Sequence, residues 1–182
     1  MSEAIAGLIS TLSDGGRAWT IEELLATNGV GLKTPGMYSW WVDSAGAADL
    51  TKGLGHGVEV GLIYAGQAGA TRLKSGKKSS NTVWSRIKTM HLGKNHNLST
   101  LRLALGSVLA EARGEQGVNE VQLTAWMMEH LRVVAVAGLD PDLLEGIETE
   151  VLRALDPPLN LAKVDTKRPS RVRLSELRRV HK

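Results

Sequence analysis

Two short stretches rich in aromatic and β-branched residues constrain the fold more than anything else in the chain. Residues 36–42 read Gly-Met-Tyr-Ser-Trp-Trp-Val, and residues 58–66 read Val-Glu-Val-Gly-Leu-Ile-Tyr-Ala-Gly. Such residues suit a pleated surface that packs on its neighbours, and Pro35 and nearby glycines punctuate them, so both predict β-strands. The chain contains two tyrosines and no phenylalanine. Tyr38 lies near the start of the first predicted strand and Tyr64 near the end of the second. Antiparallel pairing reverses direction and so brings the two phenols together. Read alone, each tyrosine is an amphipathic core residue with its hydroxyl at the rim.

A length of 182 residues suits one domain with terminal extensions. The divisions read from the chain are a helical preface over 1–34, a core over 35–160 and a basic tail over 161–182. There is no cysteine, which excludes disulfides and thiolate metal sites and makes the cytoplasm the default setting. No apolar run reaches the length of a membrane span, and no signal peptide is expected. The formal net charge is +3, unevenly spread. From Leu161 onward eight Lys and Arg face only Asp165 and Glu176, a balance that suits an acidic polymer such as nucleic acid.

In chain order, residues 3–12 predict an amphipathic helix, and Thr20 with Glu23 matches a capping box for a second short one. The Gly- and Ala-rich stretch 43–57 is expected to be a flexible hairpin connection. Residues 67–80 predict an exposed basic loop, and neither glycine cluster has the spacing of a nucleotide-binding loop. Ser80 or Asn81 is expected to cap a helix carrying Arg86 and His91. Ser99 or Thr100 starts another, with a 3.6-residue stripe from Leu101 to Ala112. Residues 119–130 read as helical or irregular, and Leu131–Ala137 as a third, buried strand. Asp140 caps a last main helix with Pro141 at its first position, and Asp156-Pro157-Pro158 ends it.

Glu148 is the most informative single residue. Leu144, Ile147, Val151, Leu152 and Leu155 form the apolar stripe of that last helix, and Glu148 falls within it. A carboxylate on such a face is paired, snorkels to solvent or binds a metal ion.

Gly36-Met37-Tyr38, Tyr64-Ala65-Gly66, Arg86 with His91, Glu148, and Pro157-Pro158-Leu159-Asn160 stand in one order along the chain. In that order they resemble the GIY-YIG nuclease family. The resemblance implies an α/β fold: a small, mainly antiparallel three-stranded sheet flanked by helices, with helical N- and C-terminal extensions. It implies a metal-dependent DNA endonuclease, restriction-like or structure-specific, or alternatively a binding module that kept the fold and lost catalysis. Glu148 would hold Mg²⁺ or Mn²⁺, and Arg86 would clamp the phosphate, with Arg72 a second candidate. Tyr38 or Tyr64 would be the general base, with His91 a third candidate, and Asn160 would support Glu148 or the closing turn. Lys74, Lys77, Lys78, Lys88 and Lys94, with Arg168, Arg171, Arg173, Arg178 and Arg179, would meet DNA phosphates. Gln67 stands where many members carry Lys, and the loop before Arg86 is long. DNA is the expected partner, a homodimer is conceivable, and no membrane is involved.

Overall fold

The computed structural model describes residues 2–70 and 79–181. In chain order these form α1 (Glu3–Leu12), β1 (Trp19–Thr20), α2 (Ile21–Ala26), β2 (Gly36–Val42), α3 (Ser44–Leu54) and β3 (Gly61–Ala68). There follow α4 (Val83–Ser85), which continues as a π-helical turn over Arg86–His91, then α5 (Thr100–Arg113), α6 (Glu120–His130), β4 (Leu131–Ala137), α7 (Leu144–Leu155) and α8 (Pro169–Val180). The sheet runs in the order β1-β4-β2-β3, and every pairing in it is antiparallel. The expected α/β class therefore stands, with one short strand, Trp19–Thr20, added to the three read from the sequence.

Alternation along β2 sorts its side chains onto two cores. Tyr38, Trp40 and Val42 enter the larger one, beneath α3, α5, α6 and α8. Met37 joins Leu8, Leu12, Val134, Leu144 and Val151 on the face covered by α1 and α7. Burial of Leu8 and Leu12 supplies ~1.5–3 kcal/mol each, enough to make α1 part of the fold. The capping box at Thr20 forms in both directions, with Thr20 N donating to Glu23 Oε2 (2.8 Å) and Glu23 N to Thr20 Oγ1 (3.2 Å).

The stretch 43–57, expected to be a flexible connection, is helical over Ser44–Leu54. Asp43 caps it by accepting from Gly46 N (2.8 Å), and Gly55 ends it in the left-handed region (φ 69°). Its glycines serve packing: a Cβ on Gly53 would come within 1.9 Å of the Val108 carbonyl oxygen on α5. What looks like loop composition is a helix pressed against another helix.

The second strand also lies further along than expected, beginning at Gly61, where φ is 129°. Val58 is still a core residue, but its N–H goes to Thr51 Oγ1 (2.9 Å) and not to a strand. Thr82, neither Ser80 nor Asn81, caps α4 through a capping box with Ser85. Asp140 closes a turn by accepting from Asp142 N (2.9 Å), and α7 starts at Leu144 without a side-chain cap. Residues 161–181 are no loose tail, because α8 folds back on α5 with Leu174 and Leu177 buried. No helix among the described residues is long and apolar enough to cross a membrane.

Candidate active site

The register of β2 and β3 sets the site. Trp40 lies opposite Tyr64 and Tyr38 opposite Gly66, so Tyr38, Trp40 and Tyr64 share one face with the phenols in diagonal positions. The glycine opposite Tyr38 is required, since a Cβ on Gly66 would meet the Tyr38 hydroxyl at 2.8 Å. Tyr64 falls mid-strand and not near the strand's end, yet the expected proximity of the phenols holds through this diagonal.

The π-helical turn after α4 delivers two more groups. Its signature is a Leu92 N–H bond to Ile87 O (2.9 Å), a geometry frequent at functional sites. Arg86 begins the turn and His91 ends it. The His91 ring is 2 % exposed and lies edge-on to three aromatic rings, at 5.1 Å from Tyr38, 5.8 Å from Trp40 and 6.2 Å from Tyr64. Its Nε2 is 2.7 Å from the Tyr38 hydroxyl and its Nδ1 2.7 Å from Ser99 Oγ. Burial, reinforced by the Arg86 and Arg102 charges, pushes its pKa down to about 3, so the ring is neutral. Both ring nitrogens of His91 are thus engaged inside the chain.

Burial raises the Tyr38 pKa well above the ordinary phenol value, and the neighbouring Tyr64 adds to that. Burial likewise raises that of Tyr64, whose hydroxyl is 2.7 Å from Thr100 Oγ1. The Glu148 carboxylate pushes both phenols further up, whereas the Arg86 guanidinium pulls both down. These opposed influences set Glu148 and Arg86 within electrostatic range of the same two hydroxyls. Arg86 Nε is buried without a hydrogen-bond partner, and Arg86 makes no ion pair among the described residues.

Glu148 is partly buried on α7, its carboxylate 2.7 Å from Lys163 Nζ, which also donates to the Glu145 carbonyl (3.2 Å). Among the described residues no three metal-ligating side chains gather in one place. One carboxylate still fits a hard divalent ion of the Mg²⁺ type, which keeps much of its water and takes its remaining ligands from substrate phosphate. Asn160 hydrogen-bonds to neither Glu148 nor Lys163. Its amide clamps the Ala65 backbone on both sides, Oδ1 accepting from Ala65 N (3.0 Å) and Nδ2 donating to Ala65 O (2.8 Å). The residue thus pins the chain after α7 to the strand that carries Tyr64.

The expected DNA contacts divide. Lys74, Lys77, Lys78 and Arg72 lie outside the described residues. Lys94 is exposed, and Lys88 sits over the Trp84 ring at 5.2 Å. Arg171 is a correction: 1 % exposed, it is bound by Asp156 Oδ1 (2.7 Å) and by the carbonyls of Asp165 and Pro157 (both 3.0 Å), so it is a buried strut. Arg168 pairs with Asp156, and Arg173 with Glu111 (2.6 Å). Sequence reading had set these three free in a tail; folding of α8 gave them partners within the chain.

Sequence reading missed Ser99 and Thr100, which bind His91 and Tyr64, and it missed Lys163 and Arg102. Arg102 is fully buried, donating to Glu120 Oε2 (2.5 Å), Thr124 Oγ1 (3.0 Å) and the His91 carbonyl (3.2 Å). A signal existed for it. It is the one charged residue in the first ten positions of a helix otherwise apolar or small on every side.

A family model described as the GIY-YIG catalytic domain matches residues 36–180, the greater part of the chain. No curated protein and no solved structure matches.

Proposed function

The chain belongs to the GIY-YIG family of nuclease-type catalytic domains, and from that membership we propose that it is a divalent-metal-dependent DNA endonuclease, restriction-like or structure-specific. The observation that carries this reading is the Arg86 guanidinium, without a partner among the described residues, acting with Glu148 on two phenols of which one is bonded to a neutral histidine. Structural arginines are normally paired; this one lies within electrostatic range of both phenols and has no partner among the described residues. The absence of cysteine agrees with a cytoplasmic setting.

Arg86 grips two oxygens of the scissile phosphate, as a planar guanidinium does. Tyr38 takes the proton of the attacking water as the new P–O bond forms and the bond to the leaving sugar oxygen breaks. Its pKa is raised in the free protein, so cationic charge in the substrate complex must lower it first, the phenol proton leaving to solvent before Tyr38 acts as base. His91 aims the Tyr38 hydroxyl, and its ring stays neutral over the whole physiological range. Glu148 would hold Mg²⁺ or Mn²⁺, which supplies Lewis-acid polarisation of the phosphate and its leaving oxygen. Asn160 keeps Tyr64 in place through Ala65.

Plasmid cleavage with Mg²⁺ or Mn²⁺, comparing wild type with Glu148→Ala, tests this. Discrete fragments lost in the variant are expected. Cleavage that survives the substitution removes Glu148 from the metal site. A second reading, an inactive binding module, draws on the Glu148–Lys163 pair, which already satisfies the carboxylate. Salt-sensitive DNA binding without cleavage by either protein would select it.

A further inference from the structure

A charged side chain on the buried stripe of a helix requires a partner or a purpose. On α8 the inward-facing positions include Arg171, Leu174, Leu177 and Arg178. Arg171 has its partners in Asp156 and three carbonyls. Arg178, partly buried one turn beyond Leu174, forms no hydrogen bond or ion pair with any described residue. It lines a cavity of about 300 Å³ together with Tyr64, Thr100 and Asn160, and Leu159 and Leu161 supply apolar wall.

We propose that this cavity is a second anion subsite, in which Arg178 binds a phosphodiester of the DNA strand adjacent to the scissile one. The inference rests on the nuclease reading above and extends it to α8, which the family match includes. Three features favour a phosphate. Arg178 brings a fork of donors without a counter-ion among the described residues, and a guanidinium matches two phosphate oxygens at once. The Tyr64 and Thr100 hydroxyls, bonded to each other at 2.7 Å, add donors and acceptors to the lining. Finally, Tyr64 lines the cavity and shares its sheet face with Tyr38, so the cavity adjoins the site and is not a remote surface dimple. Burial lowers the Arg178 pKa, the response of a cation short of water and of anions. The helix is anchored independently by Arg171 and Arg173, so Arg178 is free of a structural duty.

The test measures binding of the full chain to a duplex oligonucleotide without divalent ion, for wild type and Arg178→Gln. The plot of log affinity against log salt should lose a slope of about 0.9, one phosphate, with affinity falling roughly tenfold at low salt. A scan with single neutral methylphosphonates near the cut should show one position whose penalty in wild type disappears in Arg178→Gln. Arg178→Lys should restore most of the slope, and melting temperatures of all three should agree. Equal slopes and equal methylphosphonate penalties in wild type and Arg178→Gln overturn the subsite while leaving the nuclease reading intact. A shifted pH profile of kcat with unchanged DNA affinity also overturns it, making Arg178 a tuner of Tyr64. A wild type that binds no DNA overturns both readings.

Discussion

Two regions of the molecule use arginine in opposite ways. Behind the phenols, where α5 meets α6, Arg102 is wholly enclosed and its guanidinium is taken up by Glu120, Thr124 and backbone carbonyls. Beside the phenols, Arg86 and Arg178 have no partner among the described residues. Taking a guanidinium out of water costs several kcal/mol, which a fully bonded one recovers and an unbonded one does not. The enclosed arginine is therefore scaffold, holding the His91 backbone in place. In the proposed reading the unbonded ones keep their donors for phosphate.

The largest effect expected from this contrast is on chemistry. Arg86→Gln should lower kcat by about 10³-fold, ~4 kcal/mol of transition-state stabilisation, while the melting temperature stays within a few degrees. A parallel collapse of stability would move Arg86 into the scaffold class. Arg102→Leu should do the reverse. Breaking a buried pair costs about 3–5 kcal/mol, and the lower end applies because Glu120 keeps partial access to water and its bonds to His96. Urea denaturation reads this directly, and a loss below about 1 kcal/mol would mean that Arg102 is not the strut proposed.

The difference between these regions was only partly legible in the sequence. Strands Gly36–Val42 and Leu131–Ala137 carry patterns strong enough to give their boundaries, and Glu148 stood out because a carboxylate broke an apolar stripe. Arg102 broke a stripe as well, but its partner Glu120 is eighteen residues away on another helix, and pattern does not report such pairings. Helix α3 was hidden because its glycines meet a packing demand from α5 that has no local signature. The arginines of α8 read as a tail because their partners, Asp156 and Glu111, become neighbours only once α8 docks. Local periodicity survives into the fold; who pairs with whom is decided by tertiary contact.

His91 joins the two regions, bonded to Tyr38 in front and held by Arg102 behind. Its pKa in the folded chain, about 3, lies below the ordinary value of 6.5. The unfolded chain therefore binds a proton that the folded chain refuses. The stability this represents is fully present above about pH 6.5 and is lost as pH falls from there toward 3. By pH 5 the loss amounts to about 2 kcal/mol. Unfolding free energies at pH 7 and pH 5 should differ by that amount in wild type and by much less in His91→Gln. Depressed carboxylates such as Asp43 and Glu120 give up their share at lower pH, outside this window. A wild-type stability that stays flat between pH 7 and pH 5 would place a proton on the histidine in the fold, against its burial between two arginine charges.

Lys163 stands between the two classes, paired like Arg102 but at a site that the proposed function needs empty. Its ammonium is bonded to Glu148 at 2.7 Å, and its backbone is held in the left-handed region (φ 61°) by the turn that follows Asn160. In the proposed reading a divalent ion shares or takes that carboxylate, so Lys163 and the ion would compete for the same oxygens. Lys163→Met keeps the length of the stem and removes the charge. Its affinity for Mn²⁺ in the absence of DNA, read from the free-ion signal in electron paramagnetic resonance, should rise about tenfold, ~1.4 kcal/mol. Loss of affinity would show that Lys163 orients Glu148 for the ion instead of competing with it. An unchanged value would mean that the ion binds elsewhere, and Glu148 would then belong with Arg102 as scaffold.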